Sequence, residues 1–490
     1  MSTTEKIASS NVNQPLQNVD GLSRVYFLGI GGIGMSALAR YFNAKKITVS
    51  GYDKTETVLT KQLAAEGIKI HYEDNIELID KQAELVIYTP AVPNNHKELN
   101  YLIANGYRLV KRSEVLGAIT NSSYNICVAG THGKTTTSTM VAHILKHSGY
   151  GCNAFLGGIS VNYDTNFWMQ ENISVAGHDK EVSVVEADEY DRSFLKLSPD
   201  IAIINSMDAD HLDIYGTAEN MEQAFIEFTE RIKPGGLLLS KYGLKRAADL
   251  KATAHITFHL QNENANVYAT NIRTQNGSYL FDVQVIDDKI KDVLLNMGGQ
   301  HNIENMIAAI TVAHYLKIDE DKIKKAVADF KGVKRRFEYI VKQSFAAGNT
   351  LDGTVMVDDY AHHPEELRAL ILGAKKLFSQ KKCTVVFQPH LYSRTKDLAD
   401  GFAETLSLAD EVILLPIYPA RELPIAGVES EMILHKMSIE NKKVLSKEAL
   451  LEWVKDYKTG LLITAGAGDI DTLVQPIKEI LIKKDNNKIV

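Results

Sequence analysis

A chain of 490 residues with 45% hydrophobic and 23% charged residues is too long for one core and points to two to four domains of an ordinary soluble kind. Its net charge of −7 argues against nucleic acid or an anionic membrane as partner, while leaving room for a local basic pocket around a phosphate. Three scattered cysteines (Cys127, Cys152, Cys383) form no CxxC, no run approaches the ~18 apolar residues of a membrane span, and the polar tail of residues 1–22 lacks an apolar signal core, so a cytoplasmic protein without membrane insertion is expected.

The first β-rich run, Arg24–Leu28, enters GIGGIGMSALARYF, whose later part has helical spacing. Runs at Ile47–Asp53 and Glu84–Val92 read as further parallel strands, a doubly wound α/β pattern. Gly29, Gly31 and Gly34 form G-x-G-x-x-G between strand and helix, and Asp53 ends the next strand, 19 residues after Gly34. Glycines let a backbone approach a pyrophosphate at a helix N-terminus, and the acid can take a ribose hydroxyl. The pattern marks a diphosphate ligand without distinguishing NAD from a UDP-sugar.

A second unit opens with NICVAG (Asn125–Gly130) and enters Gly130-Thr131-His132-Gly133-Lys134-Thr135-Thr136. Strand, glycine loop and helix in that order suit an ATP phosphate loop: backbone N–H groups cradle phosphates, Lys134 reaches the β/γ oxygens and Thr135 holds Mg²⁺. Val128 stands where the usual spacing has its first glycine. Two acidic strand ends follow, with Glu186, Asp188, Glu189 and Asp191 on the first and Asp208, Asp210, His211 and Asp213 on the second. Such ends converge beside the phosphate loop in a parallel sheet, and oxygen ligands with an occasional imidazole suit Mg²⁺. The loop at Gly298 feeds a helix bearing His301, Asn302 and Asn305, which can read an adenine edge or simply cap the helix.

The third unit starts after Lys334. Arg335 and Arg336 stand at a junction, where an arginine reaches a γ-phosphate or forms a surface ion pair. Strand ends carry Asp358, Asp359, Tyr360, His362 and His363, then Gln388, His390 and Arg394, residues suited to a substrate site. No third ligand has the spacing to make His362 and His363 a zinc site.

GIGGIGMS, AGTHGKTTT, VVEADEYD, DADHLD, GQHNIEN, RRFE, DYAHHP, QPHLYSRT and TAGAGDI occur in that order. Together, over roughly residues 24–470, they resemble the Mur ligases, most closely the branch that adds L-alanine to UDP-N-acetylmuramate. The resemblance implies three α/β domains: a Rossmann-like UDP-sugar domain (residues 1–122), a central P-loop ATPase-type parallel sheet (123–333) and a C-terminal Rossmann-like amino-acid domain (334–490). It implies that Gly29, Gly31, Gly32, Gly34, Met35, Ser36 and Asp53 serve the UDP-sugar. Gly130 to Thr136, His301, Asn302, Asn305, Arg336 and Asp359 would serve ATP. Thr135, Glu186 and His211 would hold Mg²⁺; Tyr360, His362 and Arg394 would meet the amino acid; Lys134, His211 and Arg336 would be catalytic.

Two departures stand out. Family members often carry Arg where this chain has Leu391, and no lysine lies between His211 and Lys233, where several relatives carbamylate one. The rival readings are the sister ligase that recycles murein by adding a tripeptide, a Rossmann oxidoreductase, and a nonenzymatic ATP-driven switch. A monomer or homodimer is expected.

Overall fold

The computed structural model describes residue 16 and residues 18–171, 180–342, 353–420 and 422–486. Three sheets carry the fold. In the first, all strands are parallel in the order Lys69–His71, Thr48–Tyr52, Arg24–Leu28, Leu85–Tyr88 and Leu109–Lys111. Along the chain this order is 3-2-1-4-5, so the strand that feeds the GIGGIG loop lies at the reversal point, where such sheets open a crevice. Phe27, Leu38 and Phe42 fill its core.

The strand expected over Glu84–Val92 stops at Tyr88. Pro90 cannot donate to a ladder, and a turn follows in which the Val92 N–H bonds the Thr89 carbonyl. Leu16 and Val19, inside the expected polar tail, are buried in the core, and the rest of that tail up to residue 15 lies outside the described residues. At the other end the helix Asp471–Asn486 runs through Lys483.

The parallel part of the central sheet runs Asn153–Ser160, Val182–Glu186, Tyr124–Ala129, Ile201–Ile204, Leu237–Lys241, Ala254–His259 and Val267–Gln275, with Thr165–Trp168 antiparallel at one edge. Helices cover both faces, which is why Ile126–Ala129 and Ile201–Ile204 are apolar at nearly every position. Val128 is fully buried in mid-strand, so the phosphate loop begins only at Gly130 and needs no glycine there. The third sheet orders Val355–Asp359, Leu461–Ala465, Cys383–Phe387, Glu411–Leu414 and Lys442–Val444 in parallel, with Glu338–Lys342 antiparallel at the edge.

The chain divides into two compact units, Met1–Tyr268 with Gln284–Asp288 and Asn305–Ala326, and Ala269–Val283 with Lys289–Glu304 and Val327–Val490. Among the described residues no helix is long and apolar enough to cross a membrane.

Candidate active site

In the first unit, the helix Lys134–His147 starts directly after Gly133, which caps it at φ +80°. A side chain there would be doubly penalised: the backbone is left-handed, and a Cβ would lie 2.8 Å from Asn305 Oδ1 and 3.0 Å from Asn205 Nδ2. Ser206, just past the strand Ile201–Ile204, pins the loop. Its hydroxyl lies 2.9 Å from Thr131 Oγ1 and accepts from the His132 N–H at 2.8 Å. Asn205 Nδ2 donates to Thr137 Oγ1 at 2.9 Å. Asn305 thus stands against the phosphate loop itself, and the Asn205–Ser206 pair is a loop support that sequence reasoning passed over.

Lys134 Nζ donates to the Gly130 carbonyl and to Glu189 Oε1, both at 2.7 Å. Thr135 Oγ1 donates to Glu186 Oε1 at 3.0 Å, and Glu186 Oε2 accepts from the Gly157 N–H at 2.9 Å. A hydroxyl and a carboxylate brought face to face at a phosphate loop are a donor set that fits Mg²⁺. Thr136 is buried, and His132 is exposed, 3.8 Å from Asp208.

The eight groups of the two acidic strand ends separate by partner. Glu186 faces Thr135. Glu189, 1% exposed, pairs with Lys134 and sits 3.8 Å from His211 Nε2; its Oε2 is buried with no hydrogen-bond partner. Burial raises the Glu189 carboxyl above its ordinary range, against the pull of Lys134. Asp188 and Asp191 turn away to Arg112 and Lys111, at 3.3 and 3.1 Å. Asp210 lies 3.8 Å from His211 and caps its backbone N–H. The side chain of Asp213 lies outside the described residues. Glu189 is the site residue that the sequence reading named in the acidic run and then left out of the site.

At the GIGGIG loop, Asp53 Oδ2 accepts from the Gly31 N–H at 2.7 Å and Oδ1 from Thr55 N–H at 3.2 Å, so this acid organises the loop. A Cβ on Gly34 would fall 2.7 Å from Arg112 Nη1: the missing side chain makes room for a guanidinium that the motif did not reveal. Met35 and Ser36 point inward. Met35 is buried in the core, and Ser36 Oγ donates to the Ile33 carbonyl at 2.8 Å and accepts from Asn166 at 3.0 Å. Both side chains are buried, because the first turn of the helix Ile33–Ala44 packs that face against the strand Thr165–Trp168.

In the second unit, Asn302 Nδ2 donates to the Gly298 carbonyl at 2.6 Å, tying the first turn of its helix to the loop before it, while His301 is exposed. Asp359 accepts from the Phe337 and Ala361 N–H groups at 2.7 and 2.8 Å. Burial pushes its carboxyl up to about 6, and that of Asp358 up to about 7. The two junction arginines have different fates. Arg335 is ion-paired to Asp358 at 3.2 Å, whereas Arg336 is exposed and makes no ion pair among the described residues.

Tyr360 and His362 pack edge to face with ring centroids 5.2 Å apart, and His390 lies 6.3 Å beyond, stacked on Tyr418. Burial and then the Arg394 charge push His390 below the ordinary histidine value, and its Nδ1 is buried without a partner. Arg394 is half-buried and makes no ion pair among the described residues; Glu422 is committed to the Ser393 N–H and hydroxyl. A free cation beside rings suits the carboxylate of a small amino acid. Leu391 occupies φ +67°, a conformation that side chains rarely adopt.

Three family descriptions match along the chain: the Mur ligase family catalytic domain over residues 24–124, the Mur ligase middle domain over 128–313, and the Mur ligase glutamate ligase domain over 335–468. The chain is similar to the UDP-N-acetylmuramate–L-alanine ligase of Parabacteroides distasonis, 48% identical over 95% of this chain and 99% of that one. Its similarity to the Cytophaga hutchinsonii enzyme of the same name is 46% over 94% and 97%. Among solved structures it is similar to the UDP-N-acetylmuramate–alanine ligase of Thermotoga maritima, with a TM-score of 0.76 at 27% identity over 95% and 99% of the two chains. A murein peptide ligase from Psychrobacter arcticus shares the fold, at a TM-score of 0.64 and 24% identity. With relatives this similar over nearly its whole length, and family matches across all three sheets, the chain belongs to the Mur ligase family.

Proposed function

We propose that the chain joins L-alanine to the carboxylate of UDP-N-acetylmuramate in the cytoplasm at the expense of ATP, a step of peptidoglycan precursor synthesis. The observation that carries this reading is the phosphate loop with Lys134 on Glu189 and Thr135 on Glu186. The substrates follow from the near full-length similarity to ligases so named. Residues 1–122 serve the UDP-sugar, 123–333 ATP and 334–490 the amino acid.

A carboxylate is a poor acyl donor, so the γ-phosphoryl group of ATP first converts it to an acyl phosphate. The alanine amine attacks that carbonyl, and the tetrahedral adduct expels phosphate. Carboxylate and γ-phosphate repel one another, and Lys134 and Arg336 offset that repulsion. Mg²⁺, for which Thr135, Glu186 and His211 are the proposed ligands, supplies further charge neutralisation at the phosphates. Tyr360, His362 and Arg394 orient the alanine, Arg394 taking its carboxylate. Alignment of the reactants and exclusion of water protect the acyl phosphate from hydrolysis.

Phosphate release measured with ATP, Mg²⁺ and UDP-N-acetylmuramate, each amine being supplied in turn, tests the assignment. L-Alanine should give the highest kcat/KM. Glycine should remain measurable, because one methyl group is worth only about 1–3 kcal/mol of discrimination. The tripeptide L-Ala-γ-D-Glu-meso-diaminopimelate should hardly react; if it outcompetes alanine, the recycling reaction replaces this one.

A further inference from the structure

Arg336 is held between two residues of left-handed backbone, Arg335 at φ +60° and Phe337 at φ +49°. Neither is glycine, so the surroundings must impose both conformations. On one side, Arg335 Nε donates to Asp358 Oδ2 at 3.2 Å and Nη2 to the Gly466 carbonyl at 2.5 Å. The Arg335 N–H is taken by Glu338 Oε2 at 2.9 Å, and its carbonyl accepts from the Tyr360 N–H at 2.7 Å. On the other side, the Phe337 ring packs where a Cβ of Gly298 would be, and its N–H is held by Asp359. The Arg336 N–H closes the turn onto the Val333 carbonyl at 3.2 Å. The Arg336 guanidinium, by contrast, makes no hydrogen bond or ion pair among the described residues.

The same Arg335 guanidinium lies over the Tyr360 ring, 5.1 Å from its centroid. Asp358, 1% exposed, is the buried anchor, and Thr464 donates to its other oxygen at 2.5 Å. We propose that Arg335, anchored by Asp358, is a positioning residue that aims Arg336 and fixes the Tyr360 ring, so that one buried ion pair serves both the phosphate side and the amino-acid side of the reaction. The inference rests on the reading of Arg336 as the arginine that meets the γ-phosphate.

The test is a set of four variants assayed for kcat, for KM of each substrate and for melting temperature. R336A comes first and should lower kcat at least a hundredfold; an unchanged kcat overturns the role of Arg336 itself, a result obtained before Arg335 is touched. R335M should lower kcat ten- to a hundredfold and raise KM for L-alanine several-fold, with KM for UDP-N-acetylmuramate unchanged. It leaves Asp358 buried alone and will melt lower. R335M/D358L removes both charges and should recover the melting temperature but not kcat. In the R336A background, R335M should cost less than a further twofold in kcat, because the two arginines act as a unit. Recovery of kcat together with stability in R335M/D358L, or full multiplication of the two losses in R335M/R336A, overturns the proposal.

Discussion

A lysine at a phosphate loop and a histidine on an acidic strand end make separable demands. We expect Lys134→Ala to abolish ligation while UDP-N-acetylmuramate binds within tenfold of the parent, because Lys134 follows the central strand while the GIGGIG loop follows the first sheet. Calorimetry with the UDP-sugar decides it, and a greater loss would tie the two sites together. His211→Ala should raise the Mg²⁺ needed for half-maximal rate and lower kcat without unfolding, since the side chain is a third exposed and its ring packs edge to face on the exposed Tyr190. A large fall in melting temperature with unchanged Mg²⁺ dependence would make it a packing residue. At this scale the sequence was informative where a motif fixes chemistry, as at Lys134, Thr135 and Glu186. It was silent on Arg112 and named Arg335 without its partner, because the significance of both lies in what they touch across 76 and 23 residues of chain.

Between residue and molecule, the element that does most is the strand-to-helix turn. Gly133→Ala should raise KM for ATP and cost of order 1–3 kcal/mol of stability, because it imposes a left-handed alanine and crowds Asn205 and Asn305 together. Thermal melting with and without ATP reads both effects; an unperturbed KM would show that the loop has room to move. Strand positions were legible because strands buried on both faces have continuous apolar runs. The sorting of the acids was not, since consecutive residues leaving a strand end point in different directions. Thus Glu186 and Glu189 face the loop while Asp188 and Asp191 face Arg112 and Lys111. For the same reason the GIGGIGMS run did not show that the helix turns the Met35 and Ser36 side chains into the core.

For the molecule as a whole, the order of motifs gave three α/β domains, but the division into two compact units was hidden. The chain passes between the units five times, once between Glu304 and Asn305, inside the helix Gln300–Tyr315, which a sequence reads as one element. The second unit also carries a pH signature. Asp358 and Asp359 bind protons more tightly folded than unfolded, at about 7 and about 6. Their contribution to stability is therefore complete below the unfolded carboxylate range and is lost as pH rises through 6 and 7. Asp410, Glu411 and Asp469, held low by lysines, are ionised in both states over that window and leave it unaffected. His96, His255, His301 and His390, held below the ordinary histidine value, contribute with the opposite sign near this window, so the comparison is between parent and variant: in denaturant melts the stability of the parent relative to Asp358→Asn should fall from pH 5 to pH 8. A rise of that difference over the same interval would contradict the assignment.

Glu189 gives the phosphate loop a resident anion. When nucleotide arrives, its oxygens must take Lys134 from a carboxylate already 2.7 Å away, and when ADP and phosphate depart that carboxylate is waiting. The lysine therefore need never stand bare in a dry pocket, and product release exchanges one ionic partner for another. Affinity given up on entry is recovered as speed on exit, a useful bargain for an enzyme that must discharge two anionic products in every cycle. Glu189→Gln should accordingly bind ADP more tightly and release it more slowly, an effect visible in stopped-flow displacement; faster release in the variant would mean that Glu189 merely fills space.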